Sequence, residues 1–295
     1  MSQLFVNING TVQDSELNGI SSSNRGYLYG DGVFESIRVF NGTVINFDNH
    51  YKRLVQGAAA IKIEIPSHLT QEYLLEKIRE VLDKSDINQG GRVRLSFDRI
   101  SGGNYIPESN ECVYSIEVKP LLTPDFELNS KGVEVDIFMD LKKPKNKLSN
   151  FKTKNGLIYV LAGIQAKEKK LDDMLITNDA MGIIESSNAN LFVVSNGVLY
   201  TPGLEDGCLA GTMRMQIINL ALKHGVKVYE CNILPQNLLS ADEVFLTNAI
   251  QGVTWVIGYR TKRYFNNTSR RFVAWLNEHW EKELEPTDLD NSEED

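Results

Sequence analysis

The amino-acid sequence predicts an α+β chain in two domains, and three observations carry that prediction. Three strand–turn–strand signals are built on Asn-Gly, helical patterns alternate with strand-like runs, and a proline-bearing break interrupts the pattern near residue 125. The expected division is an N-terminal α/β domain at 1–120, a linker at 121–131, a larger C-terminal domain at 132–284 and an acidic tail at 285–295. A pocket between the two domains is the default place for a site.

The elements follow in order. "LFVNINGTVQD" and "FESIRVFNGTVINF" each set β-branched or apolar residues around Asn-Gly, a dipeptide that readily takes positive φ and so marks a short hairpin. "DNHYKRLVQGAAAIK" and "QEYLLEKIREVLDK" carry apolar residues at helical spacing, as at Tyr73, Leu74, Ile78, Val81 and Leu82. Two strand-like runs, "RVRLSFDR" and "CVYSIEVKP", precede the break "KPLLTPDFELNSKG" at 119–132. Beyond it come the strand "VEVDIFM", a helix over 156–169, the strand "DMLITN" and a third hairpin, "NLFVVSNGVLYTP", around Asn196. A helix over 212–224 follows, with Thr212 as its N-cap, Met213, Ile217, Leu220 and Leu222 turned inward and Gly225 as its stop. The strand "DEVFLTN" ends the series.

Composition excludes several classes of function. With 42% hydrophobic and 24% charged residues the chain reads as a soluble globular protein. A net charge of −8 argues against nucleic acid or an anionic membrane as partner, although the tail "EKELEPTDLDNSEED" inflates it. No apolar run is long enough to span a bilayer, and "MSQLFVNING" lacks the pattern of a signal peptide. Cys112, Cys208 and Cys231 are odd in number and far apart, as free thiols of a reducing compartment are, so the cytoplasm is the expected location. His50, His68, His224 and His279 show no metal-ligand spacing, and no metal site is expected.

Five segments hold residues able to do chemistry. "NFKTKNGLIYVLAG" places Lys152 and Lys154 at the mouth of a helix. "EDGCLAGTMRMQIINLALKHG" puts Gly211 before a helix start, where backbone N–H groups and the helix dipole can receive a phosphate, or simply begin a capped helix. "GIIESSNANLFVVSNG" holds Glu185 between apolar pairs, so partial burial beside a cation is expected. Arg53 in "NHYKRL" suits a bidentate phosphate contact. In "RGYLYGDGVFESIRVFNG" Tyr29, Phe34 and Ser36 sit among glycines that allow either a turn or close approach to a ligand.

Taken together and in order, "RGYLYGDGVFESIRVFNG", "HYKRL", "KTKN…LAGIQA", "IESSNANLF", "LYTP…GCLAGTMR" and "ADEVFLTNAIQGV" resemble the class IV aminotransferases, the fold-type IV pyridoxal-phosphate enzymes, over residues 3–257. The resemblance implies a D-amino-acid-aminotransferase-like fold, pyridoxal 5'-phosphate as cofactor, small-molecule substrates and a homodimer. Aligned on "LAG" and Asn155, it makes Lys152 the lysine that holds the cofactor covalently and leaves Lys154 as a solvated charge. Arg53 matches the phosphate arginine, and Glu185 the acid that faces the pyridine nitrogen. Thr212 and Met213 match backbone donors to the phosphate, and Thr247, Asn248 and Ala249 a further phosphate wall. Ala249 departs from the hydroxyl residue often found there. Intact Lys152, Arg53 and Glu185 argue against a non-catalytic relative.

Within the family three activities compete. "DRISGGNYIPES" lacks the Arg-x-His carboxylate trap of D-amino-acid enzymes. Branched-chain enzymes often have Phe-Glu-Gly where this chain has Phe34-Glu35-Ser36, and a less polar loop than "SGGNYIP". Aminodeoxychorismate lyases resemble the Arg-x-Ser-Gly-Gly segment and the Asn-Ala of "TNAIQGV", and they place a hydroxyl residue at the position of Ser36. The resemblance therefore favours a lyase that releases 4-aminobenzoate and pyruvate, with a branched-chain L-amino-acid transaminase using 2-oxoglutarate as the alternative. Ser36 is the expected proton relay, and Tyr29, Phe34, Ser36 and Arg94 the expected substrate-side residues.

Overall fold

The structure is a computed structural model that describes residues 3–16, 19 and 21–284. The acidic tail lies outside the described residues. Up to Pro120 the chain forms strands β1 (Phe5–Ile8), β2 (Thr11–Asp14), β3 (Gly32–Phe40), β4 (Thr43–Val44), β5 (Gly91–Arg99) and β6 (Cys112–Pro120). Helices α1 (Arg25–Tyr29), α2 (Phe47–Ala60) and α3 (Gln71–Lys84) lie between them in sequence. The six strands make one antiparallel sheet in the order β2-β1-β6-β5-β3-β4. Its apolar face packs on α2 and α3 through Ile37, Leu54, Leu74, Ile78 and Leu95.

Residues 121–132 contain neither strand nor helix. The second sheet then uses β7 (Val133–Ile137), β8 (Asp173–Thr177), β9 (Ile183–Ser186), β10 (Asn190–Ser195), β11 (Val198–Thr201), β12 (Val228–Glu230), β13 (Glu243–Asn248), β14 (Gly252–Tyr259) and β15 (Lys262–Arg263). Helices α4 (Leu157–Glu168), α5 (Thr212–Lys223), α6 (Pro235–Ser240) and α7 (Asn267–Leu284) complete it. Strand β9 pairs with β8 on one side and, through Glu185 and Asn190, with β10 on the other. That pairing closes β10-β13-β14-β7-β8-β9 into a six-stranded ring. Closure removes two sheet edges and places Glu185 at the seam.

All three Asn-Gly turns form two-residue hairpins, with Asn9, Gly10, Asn41, Gly42, Asn196 and Gly197 at positive φ. The long helices match the periodic segments closely, and α7 was not among the sequence-predicted elements. The start of α5 differs from expectation: Gly211 is the N-cap and Thr212 is the first helical residue. A Cβ at Gly211 would overlap the side-chain oxygen of Asn190, so glycine is what permits this close approach. Leu222 is exposed rather than inward, because Met213, Ile217, Leu220 and Ala221 fill the helical stripe and Leu222 lies off it. The two halves are not sealed from each other. Phe40 and Ile45 pack in one core with Phe126, Phe192 and Phe245. Among the described residues no helix is long and apolar enough to cross a membrane.

Candidate active site

A cavity of about 910 Å³ lies between the two sheets, lined from one side by Phe34, Arg53 and Arg94 and from the other by Lys152, Glu185 and Thr247. Lys152 is fixed there by its backbone. Its carbonyl accepts from the Phe34 N–H at 3.0 Å, and the Lys154 N–H donates to Gly32 at 2.9 Å, so residues 152–154 extend the edge of β3. An extended segment points residues two apart the same way. Lys152 and Lys154 both line the cavity, and Lys154 is not the solvated charge the sequence suggested. It forms an ion pair with Asp98 at 2.6 Å. Lys152 has no such carboxylate partner among the described residues, and its Nζ lies 4.7 Å from the centre of the Phe34 ring. Burial and the Arg53 guanidinium push its ammonium down to about 8, against the pull of Glu35 and Glu185. A lysine poised near neutrality is a usable nucleophile and base.

One end of the cavity is built for an anion. The N-terminus of α5, at Gly211, Thr212 and Met213, faces it with first-turn N–H groups that no helical carbonyl can satisfy. Arg53 lies beside it. Its Nε and Nη2 donate to the two oxygens of Glu35 at 2.7 and 2.5 Å, and Nη1 donates to the Ala210 carbonyl at 2.8 Å. Three of the five guanidinium donors are thus used, and two remain. Burial would raise Glu35, but Arg53 and His50 outweigh it and hold the carboxyl at about 2. Thr247, in the same wall, has a buried hydroxyl without a hydrogen-bond partner among the described residues. Asn248 and Ala249 also line the cavity, but the Asn248 side chain is spent on the turn, accepting from the N–H groups of Ile250 and Gln251.

Glu185 marks the other end. It is buried and accepts from Lys143 Nζ at 2.6 Å, from the Tyr159 hydroxyl at 2.9 Å and from the Leu209 N–H at 2.7 Å. The expected cationic partner is therefore Lys143. Burial and the adjacent Glu185 charge raise the Tyr159 phenol, which stays a donor. A carboxylate has about four acceptor sites, so one remains for a ligand N–H.

Between these ends, Phe34 and Ser36 of β3 share the cavity face with Arg92 and Arg94 of β5. Ser36 pairs directly with Arg94 across the two strands, and the Arg94 guanidinium lies 3.8 Å from the Phe34 ring centre. Tyr29 is placed elsewhere. It lines a second hollow of about 280 Å³ with Arg25, Arg99 and Tyr105, and Thr153 and Asn155 border both cavities.

Sequence reasoning missed Glu35, His50, Arg92, Lys143 and Tyr159. Two of them left a signal. Glu35 alternates with Phe34 and Ser36, so it had to face the core side of a strand, where a charge needs a partner. His50 precedes Arg53 by one helical turn, on the same face. Lys143 sits in a loop with no periodicity to read.

The sequence model of the family described as "Amino-transferase class IV" matches residues 32–258. The chain belongs to the class IV aminotransferases. A protein of Methanocaldococcus jannaschii, provisionally named a branched-chain-amino-acid aminotransferase, is 31% identical over 250 residues, covering 81% of this chain and 82% of that one. A D-alanine aminotransferase of Bacillus licheniformis is 26% identical over 246 residues, covering 81% and 83%. Among solved structures, the branched-chain aminotransferase of Thermoproteus uzoniensis with norvaline superposes with a TM-score of 0.85 at 24% identity, covering 96% of each chain. This class IV aminotransferase has the fold-type IV architecture and uses pyridoxal phosphate. The residues present fit that group: the orphan Thr247 hydroxyl, the open helix start and the free Arg53 donors suit a phosphate, and the remaining acceptor site of Glu185 suits a ring N–H.

Proposed function

We propose that the protein is an aminodeoxychorismate lyase-like enzyme, converting 4-amino-4-deoxychorismate to 4-aminobenzoate and pyruvate. The observation that carries this reading is Ser36 beside Arg94 on the cavity floor, the serine hydroxyl having no hydrogen-bond partner among the described residues. Neither Arg92 nor Arg94 has an ion-pair partner among the described residues, although Glu117 faces Arg94 across β5 and β6. Two cations in a partly dry cavity favour a substrate with more than one carboxylate.

Bound pyridoxal phosphate supplies the electron sink for the carbon that loses its proton. Arg53 and the start of α5 would hold its phosphate, Glu185 would receive its ring N–H, and Lys152 would be its covalent anchor. The Lys152 amine would take the proton from the amine-bearing carbon of the substrate. Arg92 and Arg94 orient the carboxylates. As the ether bond breaks and its electron pair leaves with oxygen, the Ser36 hydroxyl would relay the proton taken up by Lys152 to the departing enolpyruvyl group, giving pyruvate and restoring both the serine hydroxyl and the lysine amine.

A second reading, an L-amino-acid transaminase acting with 2-oxoglutarate, is favoured by the names of the relatives above, and Arg94 would then hold the distal carboxylate of the acceptor. The test uses Ser36→Ala with both substrate sets. The lyase reading expects turnover of aminodeoxychorismate to fall by roughly 10²–10⁴ while the cofactor spectrum is unchanged. A wild-type protein that transaminates leucine with 2-oxoglutarate and leaves aminodeoxychorismate untouched overturns it.

We propose further that the enzyme is a homodimer in the cytoplasm. Leu157, Val160, Leu161 and Ile164 form an exposed apolar stripe on α4 at helical spacing. The segment carrying exposed Met139 and Leu141 is tied to the same helix by Gln165 and Asp140. A contiguous patch of this kind supports a self-association face.

A further inference from the structure

We propose that Glu35 and His50 are positioning residues that assemble the phosphate cradle from behind, locking Arg53 and Thr212 of opposite halves of the chain into one unit. The proposal rests on the reading of the α5 start as the phosphate site. His50 Nδ1 lies 2.7 Å from Glu35 Oε2, the same oxygen that accepts from Arg53 Nη2. An ionised carboxylate only accepts, so His50 carries its proton on Nδ1. Burial lowers the His50 imidazolium, against the pull of Glu35, so the ring is neutral and Nε2 is an acceptor. The group in reach of Nε2 is the Thr212 hydroxyl, at 3.3 Å.

The direction of each bond is then set. Glu35 turns the guanidinium of Arg53 edge-on with two parallel bonds and fixes the tautomer of His50. His50 in turn draws the proton of the Thr212 hydroxyl towards itself and away from the cavity. The Thr212 oxygen, stripped of its free donor, leaves the phosphate to the backbone N–H groups and to the two open donors of Arg53. Glu35 lies on β3, His50 and Arg53 on α2, and Thr212 on α5. All four side chains are buried. Arg53 Nη1 binds the Ala210 carbonyl just ahead of the helix start, so the first sheet grips the second at the point where the phosphate docks. Loss of the Glu35 charge in Glu35→Gln would free Arg53 to swing and would leave three buried donors, Arg53 Nε and Nη2 and His50 Nδ1, facing one amide oxygen.

The test measures binding rather than turnover. Apo wild type, Glu35→Gln, His50→Asn and Arg53→Ala are titrated with pyridoxal phosphate and, separately, with inorganic phosphate, each variant first checked for a cooperative melt. Glu35→Gln is expected to weaken both ligands about tenfold or more, and His50→Asn several-fold, while Glu35→Asp recovers part of the loss. Wild-type dissociation constants in folded Glu35→Gln and His50→Asn, with Arg53→Ala impaired, overturn the proposal and leave the cradle standing. Unchanged phosphate binding in Arg53→Ala itself removes the cradle reading and the proposal with it. Should Glu35→Gln fail to fold, His50→Asn decides alone, because a merely structural histidine would lower the melting temperature without altering the phosphate constant of the folded protein.

Discussion

Replacing Lys143 by methionine isolates the ion pair at the seam of the barrel. The pair is nearly dry, with side-chain exposures of 11% for Lys143 and 4% for Glu185 at a separation of 2.6 Å. Removing one partner of a buried pair typically costs about 3–5 kcal/mol, because the other charge stays behind uncompensated. Glu185 keeps the Tyr159 hydroxyl and the Leu209 N–H, which places Lys143→Met at the lower end, about 3 kcal/mol. The melting temperature of the apo protein should then fall by roughly 5 °C. The double variant Lys143→Met/Glu185→Gln should recover most of this, since no unpaired charge remains. Recovery is incomplete by about 1 kcal/mol because the Ser149 carbonyl loses the lysine as its donor. Denaturant unfolding of the apo proteins measures all four corners of the cycle. On the proposed placement a bound cofactor would bring its ring nitrogen to Glu185, so pyridoxal phosphate should raise the melting temperature of Lys143→Met more than that of the wild type. A single variant destabilised by less than about 1 kcal/mol, or a double variant as unstable as the sum of its parts, refutes the reasoning.

Two further outcomes follow from the same geometry. With Lys152 as the proposed anchor, covalent attachment of the cofactor would need its neutral amine, so the rate in the apo protein should rise with pH through a midpoint of about 8, and borohydride should fix no cofactor in Lys152→Ala. Because the folded amine releases its proton before the unfolded one does, the apo protein should also gain stability from about pH 8 upwards, and a flat pH dependence of both rate and stability would contradict the depressed value. On the surface, Leu161→Glu puts a charge in the middle of the α4 stripe, and sedimentation should show a dimer for the wild type, as proposed, and a monomer for the variant; an unaltered dimer assigns the interface elsewhere.

By itself the sequence determined the local elements and singled out Lys152 as the candidate anchor, which the fold places in the cavity. Asn-Gly turns and helical stripes depend on neighbours a few residues away, and the three hairpins and the helices α2 to α5 lie where the pattern put them, Leu222 and the exact start of α5 apart. Glu185 between two apolar pairs announced burial beside a cation, but which cation was a matter of tertiary structure, and Lys143 stands 42 positions away in an irregular loop. The same holds for Lys154, whose partner Asp98 is 56 positions distant and turns a surface charge into a wall of the cavity. Closure of the barrel by β9 and β10, the sharing of Phe40 between two halves and the reach of His50 to Thr212 across 162 positions were decided only on folding. The reason is physical. Local patterns encode which face a residue presents, whereas the partner that satisfies a buried charge is chosen by which other faces the packing of the two sheets brings within about 3 Å.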